Sequence, residues 1–366
     1  MVENTHKIQD ETKKPKLGQP KVKTPVRSQE NAVKRFFKSL LELWAKNFLI
    51  VALIFFGLAI IFPIAFNQQY LISVGVNVLL YAALSVSLNL ITGFMGITSL
   101  SHAAFLGIGA YTAAILATRF GVNFPFTFIA AAIMAGIFGL LLGLPSLRIK
   151  GRFLAIVTLG FGEITRIIEL NWMSLTRGPQ GISGIPKIEI FNWAMKTPMQ
   201  KYYVILAILV FIVLCVFAIM NSRVGRAISA IRDDEVAAAA MGINVFGYKL
   251  MVFTISSAFA GLAGAFYAHY MSFIDPNAFS FTQSIQILSV TIFGGMASIP
   301  GSIFGAVSLI ILPELLRFLV DFRLIIYGLL LVIMMVFQPN GLFGGFNLKH
   351  IRQQAIFRKS QERNES

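Results

Sequence analysis

The sequence predicts an all-α, polytopic membrane protein with about ten transmembrane helices, and with eight as the lower alternative. Three observations predict this fold class. Of the 366 residues, 56% are hydrophobic and 13% are charged, whereas soluble domains carry about 25% charged residues. The chain repeats apolar runs of about 20 residues, the length that crosses a bilayer. Its basic residues concentrate towards both ends, as is typical of the cytoplasmic flanks of membrane spans.

The two ends of the chain account for much of its formal charge of +15. Residues 1–46 hold 11 Lys and Arg against 5 acids, and residues 349–366 hold 5 against 2. The composition predicts a basic, disordered cytoplasmic tail over 1–46, a transmembrane domain over 47–340 and a basic cytoplasmic tail over 341–366. Nucleic-acid binding is excluded because the charge lies at the ends and no nucleic-acid motif accompanies it.

Ten apolar segments are predicted to form the spans, since helices satisfy their own backbone hydrogen bonds in lipid. They are roughly 47–66, 70–91, 97–118, 123–145, 153–170, 202–220, 248–270, 283–298, 301–318 and 322–338. With the first tail inside, alternate crossings place Arg148, Lys150 and Arg152 inside, together with the arginines of 221–247 and the second tail. The connection 171–201 is then outside. Both termini are predicted to be cytoplasmic.

Two of these segments are short, rich in glycine and hydroxyl residues, and comparably placed in two halves of the chain. They lie within Leu88–His102 and Thr291–Gly305. Paired interrupted segments are typical of transporters built from two related halves, with the pathway between them. The alternative is coincidence, because glycine is common in membrane helices. Segments 97–118 and 283–298 could also be re-entrant, which gives the count of eight crossings.

Polar residues of the first interrupted segment are the candidate translocation pathway: Asn89, Thr92, Ser99, Ser101 and His102. For His269, a neutral side chain bonded to a neighbouring helix is the preferred interpretation. Glu163 is taken as the only strong acid in mid-span, and Arg166 three residues later can pair with it on one helix face. No hydrolytic triad, metal cluster or dinucleotide fingerprint is visible, so no cofactor is expected and the chain is not predicted to be an enzyme.

The polar segment 221–247 has strong local helix signals. Arg226 to Arg232 can form a short helix, and Asp233 or Asp234 can cap a second helix that starts near Glu235. Ala237 to Ala240 favour helix, and Gly242 supplies a stop. A slim helix of this kind can dock into a groove of another protein. The alternative is an ordinary loop between two spans.

This segment resembles the "EAA" coupling loop of ABC-importer permeases, which touches the ATPase subunit. The run that begins at Tyr248 and the stretch Leu88–Tyr111, with Gly93, Gly96 and Ser101-His102-Ala103-Ala104-Phe105, resemble the branched-chain amino acid permeases. The resemblance covers roughly residues 70–340 and is closer to the M-type permease of the high-affinity leucine, isoleucine and valine uptake system than to its H-type paralogue. It assigns ATPase coupling to Arg226, Arg232, Asp233, Glu235, Ala238 and Gly242.

The resemblance implies several partners in a bacterial inner membrane. They are an H-type permease subunit, two cytoplasmic ATPases, a periplasmic amino-acid-binding protein and the surrounding lipid. The chain has no GxxxxGK[ST] phosphate loop, so the ATPase chemistry is expected in another chain. Two alternatives stay open. One is a permease of the same superfamily for urea or short amides, and the other is a secondary transporter driven by an ion gradient.

Overall fold

The computed structural model describes residues 48–66, 68–149, 151, 153–190, 193–195 and 197–315, with isolated positions 328 and 332. Both predicted tails, Lys150, Arg152 and almost all of the predicted span 322–338 lie outside the described residues. Within them, five helices are long and apolar enough to cross a membrane, and a bent helix pair is a sixth candidate. The chain is therefore a multi-pass membrane protein, whereas the count of ten and the cytoplasmic termini stay predictions.

The helices follow the predicted apolar segments closely. In chain order they are α1 Phe48–Ala65, α2 Gln69–Asn89, α3 His102–Phe120, α4 Phe124–Ser146, α5 Phe153–Asn171, α6 Met173–Thr176, α7 Pro198–Asn221, α8 Arg223–Asp233, α9 Glu235–Ala240, α10 Val245–Met271, α11 Phe281–Gly294 and α12 Ile299–Leu315. A π-helical turn, Leu90–Phe94, continues α2, and 3₁₀ turns cover Gly178–Gln180 and Pro276–Phe279.

Four two-residue strands lie in the connections that follow α5 and α10. They are β1 Ile182–Ser183, β2 Glu189–Ile190, β3 Trp193–Ala194 and β4 Phe273–Ile274. β1 pairs antiparallel with β4, with Ile182 opposite Ile274. β2 and β3 form a small antiparallel ladder with Ile190 opposite Trp193. The pairing of β1 with β4 ties together two connections that are predicted to lie outside the membrane.

Helix α10 is the centre of the bundle and packs on α3 and α4. Glycine makes this contact possible, because a Cβ on Gly264 would collide with the backbone of Leu106, and a Cβ on Gly109 would collide with the backbone of Gly261. In lipid, where apolar side chains gain little by leaving the solvent, such close backbone contact is a main source of helix association. The small residues therefore set how close α3 and α10 come.

Helices α11 and α12 form the bent pair, with 119° between them. The break contains Gly295 and Ala297, both with positive φ. Glycines at 294, 301 and 305 let the two helices approach until backbone meets backbone. With 14 residues, α11 is about 21 Å long, shorter than the hydrocarbon core of about 30 Å. This geometry favours the re-entrant alternative for the predicted span 283–298.

Candidate functional site

Asn89, the last residue of α2, holds the break between α11 and α12. Its Oδ1 accepts a hydrogen bond from the backbone N–H of Ala297 at 2.8 Å. Its Nδ2 donates to Ser302 Oγ at 2.6 Å and to the Ser298 carbonyl at 3.0 Å, with the Gly295 carbonyl at 3.4 Å. The two interrupted segments that the sequence singled out therefore meet at one fully buried side chain.

This contact satisfies backbone groups that a helix break leaves without partners. Buried polar backbone groups cost free energy unless they are hydrogen-bonded, and lipid offers no water to replace the bond. The turn after α2 must also leave room for the Asn89 amide. Gly93 provides that room, because a Cβ there would collide with Asn89 Oδ1 and with the Ala297 nitrogen. The structure places Asn89 in a junction made of protein groups.

A second polar contact joins α2, α3 and α10. The hydroxyls of Ser87 and Ser256 donate to each other's backbone carbonyls at 2.8 and 2.5 Å. Since the Ser87 hydrogen is used in this way, Ser87 Oγ accepts from His102 Nε2 at 2.9 Å. His102 thus carries its proton on Nε2, and its buried Nδ1 has no hydrogen-bond partner among the described residues. His102 Nδ1 is therefore a buried acceptor to which no described group donates.

The other predicted pathway residues separate into two places. Ser99 and Ser101 are buried and bond to each other at 3.0 Å. Thr92 is buried in the π-helical turn, and within the described ranges its Oγ1 has no hydrogen-bond partner. Among the described residues, no hydrogen bond links Thr92 to Ser99 or Ser101. That these residues line the translocation pathway stays a prediction.

Sequence reasoning missed four hydroxyl residues of this polar core: Ser85, Ser87, Ser256 and Thr291. Ser85 bonds to Thr291 at 3.0 Å, between α2 and α11. One signal was available, because Ser85 lies four residues before Asn89 and so shares its helix face.

The helix signals in segment 221–247 are confirmed. Helices α8 and α9 form as predicted, and Asp234 is the residue that caps α9. Its Oδ1 accepts from the N–H groups of Val236 and Ala237 at 2.8 and 3.0 Å. Gly242 ends the helix with φ +82°, where glycine avoids the steric cost of a side chain.

Two side chains tie these helices to the membrane domain. Glu235 Oε2 pairs with Lys249 Nζ of α10 at 2.7 Å. The stem of Arg232 approaches Gly96, where an added Cβ would lie 3.3 Å from Arg232 Cγ. Gly96 follows the π-helical turn and has a positive φ. The segment therefore contacts both the central helix and the first interrupted segment.

The other predicted coupling residues have simpler surroundings. Ala238 is buried, and its carbonyl accepts from the N–H of Ile243 at 3.1 Å, which closes the end of α9. Asp233 is exposed at the end of α8, and Arg226 is exposed with Nη1 at 3.5 Å from the Ser222 carbonyl.

The most exposed apolar side chains of this segment were missed by sequence reasoning. Val236 is 76% exposed and Met241 is 82% exposed. Both flank the slim alanine helix, next to the cap at Asp234 and the stop at Gly242. Apolar side chains that are exposed on a polar segment in this way are typical of a contact surface for another protein.

The structural interpretations of two other groups are confirmed. Arg166 Nη2 pairs with Glu163 at 2.9 Å. His269 contacts Thr127 Oγ1 through Nε2 at 3.0 Å and the Pro186 carbonyl through Nδ1 at 2.7 Å. Sequence reasoning did not single out Glu169, an acid in the last turn of the same helix that is only 5% exposed.

Comparisons with known proteins agree with this architecture. Residues 70–338 match the family described as "Branched-chain amino acid transport system / permease component". The chain is 36% identical over 320 residues to the high-affinity branched-chain amino acid transport system permease protein LivM of Escherichia coli K12, covering 81% of this chain and 74% of that protein. It is 24% identical over 283 residues to LivH of Salmonella typhimurium, covering 72% and 91%.

An archaeal protein is similar as well. The probable branched-chain amino acid transport permease protein LivM of Methanocaldococcus jannaschii is 24% identical over 311 residues, covering 72% of this chain and 90% of that one. No solved structure matches the chain. With a family match that spans most of the sequence and a bundle of apolar helices, the chain belongs to the permease components of branched-chain amino acid transport systems.

Proposed function

We propose that the chain is the M-type permease subunit of an ATP-driven importer that carries leucine, isoleucine or valine across a bacterial inner membrane. The chain is a transport component and not an enzyme. The ATP is hydrolysed by two partner ATPases on the cytoplasmic side. A periplasmic binding protein delivers the amino acid, and a second, H-type permease completes the pathway.

One observation carries the proposal. Segment 221–247 presents the exposed Val236 and Met241 on a capped helix, and the same segment contacts α10 and Gly96 through Glu235 and Arg232. A groove in an ATPase that takes the two apolar side chains would hold α9 in a fixed register. Movement of that ATPase would then reach the membrane helices through short contacts on both sides of the segment.

The coupling residues have separate parts in this proposal. Asp234 and Gly242 fix the ends of α9, Ala238 seats it against the bundle, and Glu235 links it to α10. Arg232 lies against the first interrupted segment, while the exposed Arg226 and Asp233 are free to meet the ATPase surface. A shift of α8 and α9 biases the bundle between outward and inward arrangements, which is a population shift between two packings.

Cysteine crosslinking tests the proposed docking surface. In a chain with Cys215 replaced by alanine, Val236→Cys and Met241→Cys should crosslink to the ATPase subunit in membranes. Lys187→Cys is the matched control, because it is exposed in the connection predicted to be outside. The proposed docking is contradicted if Lys187→Cys crosslinks to the ATPase, or if neither Val236→Cys nor Met241→Cys does.

Uptake into vesicles containing the reconstituted importer tests the substrate. Leucine should accumulate only with ATP and with the binding protein, and should not accumulate in response to a proton gradient alone. Uptake of urea or short amides in place of leucine would keep the importer assignment and change the substrate. Leucine uptake driven by an ion gradient without the ATPases would favour the secondary transporter.

A further inference from the structure

Glu169 is a buried carboxylate that the proposed coupling does not use. It lies in the last turn of α5 and is 5% exposed, and its Oε2 has no hydrogen-bond partner among the described residues. The nearest arginine along the helix, Arg166, is bonded to Glu163. Charged groups within a membrane are costly and mark binding sites or pathways when they lack a partner. Glu169 Oε2 is therefore available to a cation or a proton.

Gly107 of α3 makes the space that Glu169 occupies. A Cβ at this position would lie 3.0 Å from Glu169 Oε1 and 2.9 Å from Cγ of Phe279. The carboxylate and the Phe279 side chain therefore both pack directly on the backbone of α3 at Gly107. Because glycine has no side chain, this position lets both groups approach the helix closely.

Two further aromatic rings pack on Phe279. Tyr111 lies one turn after Gly107, and its ring meets Phe279 edge to face, with centroids 5.9 Å apart. Tyr267 of α10 meets the same Phe279 ring at 5.9 Å. Tyr111 is buried, and its hydroxyl has no hydrogen-bond partner in the part of the chain that the structure describes. We call Gly107, Tyr111, Glu169, Tyr267 and Phe279 the aromatic cup.

The aromatic cup lies between three helices and one connection. Tyr111 is the tenth residue of the 19-residue helix α3, and Gly107 is one turn before it. Glu169 is in the last turn of α5, and Phe279 belongs to the 3₁₀ turn before the short helix α11. Substrate sites of transporters are commonly formed beside helices that stop partway across the membrane.

The chemistry of the aromatic cup selects the kind of cation. Ring faces attract ammonium groups, and a buried carboxylate adds a charge-assisted hydrogen bond. Metal ions such as Ca²⁺ need six or more oxygen ligands, and the described residues contain no group of three His, Cys, Asp or Glu that could hold a metal. A single carboxylate among rings fits an ammonium group that carries an apolar chain.

We propose that the aromatic cup is a transient binding site for the ammonium group of the amino acid as it crosses the permease, an inference that rests on the proposed function. Glu169 accepts hydrogen bonds from the ammonium group, and the rings of Tyr111, Tyr267 and Phe279 face its charge. The apolar side chain of the amino acid packs on the same rings. Release towards the cytoplasm follows when the bundle changes its packing.

A binding experiment on the complete importer in nanodiscs, without ATP or binding protein, tests the aromatic cup. Two probes share one branched chain: isopentylamine has an ammonium group, and 4-methylpentanoate does not. Saturation-transfer NMR should detect isopentylamine on the unmodified importer. Glu169→Gln should weaken that binding about tenfold, as expected for loss of a charge-assisted contact, and should leave 4-methylpentanoate unchanged. Glu169→Asp should restore part of the binding.

Matched variants separate this role from a structural one. Glu163→Gln removes an acid of the same helix that is already paired with Arg166, and it should bind isopentylamine normally. Gly107→Ala keeps the carboxylate, but its Cβ would displace Glu169 and Phe279 from their places against α3, and it should lose binding. Gly160→Ala, where a Cβ meets nothing within 4 Å, should keep it. If Glu169→Gln does not assemble with the ATPases, Gly107→Ala decides the question.

Three results would overturn the aromatic cup. They are equal isopentylamine binding in Glu169→Gln and the unmodified importer, equal loss of both probes in that variant, and normal binding in Gly107→Ala. The proposed function is tested separately by ATP-driven leucine uptake in the unmodified importer. Failure of that uptake would overturn the importer assignment. Normal uptake in all variants of the aromatic cup would overturn only the proposed binding site.

Discussion

The Asn89 side chain and the Ala297 backbone, 208 positions apart in the sequence, are joined by a partly buried 2.8 Å hydrogen bond. The bond links the end of α2 to the break between α11 and α12. It brings together the two glycine-rich interruptions that the sequence marked as a pair. Loss of this contact should therefore affect both segments at once.

Asn89→Ala should destabilise the permease, because it removes the acceptor of the Ala297 N–H and the donor to the Gly295 carbonyl and to Ser302 Oγ. A buried polar group that is left without a hydrogen bond costs about 1–3 kcal/mol, and this substitution leaves more than one such group without its partner. Thermal unfolding of the purified complex should show a lower midpoint. The control is Asn171→Ala, where an exposed asparagine bonds only its own helix. Equal midpoints for the two variants would contradict the junction.

Gly242→Val should uncouple ATP hydrolysis from uptake, because valine is strained at φ +82°. The left-handed conformation costs about 1–2 kcal/mol for residues with a side chain, and a branched Cβ is the least suited to it. A steric clash with neighbouring atoms is not the reason, since a Cβ at this position meets nothing within 4 Å. Hydrolysis and leucine uptake are measured together in vesicles.

Gly242→Asn is the matched control for that prediction. Asparagine adopts the left-handed conformation more readily than other residues, so this variant should remain close to the unmodified protein in both measurements. If asparagine and valine uncoupled equally, backbone strain would not be the cause.

Glu235→Lys should weaken coupling by placing two lysines together at the contact between α9 and α10. The pair is partly exposed, so its contribution to stability is at most about 1 kcal/mol, and the complex should still assemble. The double exchange Glu235→Lys with Lys249→Glu should recover uptake per ATP hydrolysed. If the double exchange behaved like the sum of its two single changes, the ion pair would not be part of coupling.

Val236→Ser and Met241→Ser should reduce retention of the ATPase subunit on the permease. Both side chains are exposed in the isolated chain, so the changes should not alter its thermal midpoint. Loss of an apolar side chain that acts as a hot spot of an interface costs more than about 1 kcal/mol, which is at least about a fivefold loss of affinity. Leu214→Ser, on the apolar surface of α7, is the control and should retain the ATPase.

The coupling segment could be predicted well because its signals are local. A capping aspartate, a run of alanines and a terminal glycine lie within nine residues, and the structure confirms the helix that they indicate. The glycine-rich interruptions were visible for the same reason. His269 was also assigned correctly, since a buried histidine with two hydrogen-bond partners is the commoner case.

The remaining features depend on contacts between distant parts of the chain. Asn89 was predicted to line a pathway, but its partners lie more than 200 positions later. Glu169 was overlooked because its burial depends on Phe279 and on the missing side chain of Gly107. The short length of α11 depends on the bend at Gly295. No pattern of apolar residues along one segment contains this information.

The seam between α3 and α10 has a mechanical consequence. At Gly109, Gly261 and Gly264 there are no side chains between the two helices, so no rotamer change can open a gap there. The two helices are therefore expected to move together as one rigid body, with Lys249 in the first turns of α10 and Tyr111 in the middle of α3. A displacement at Lys249 would then reach Tyr111 without any rotamer change between the two helices.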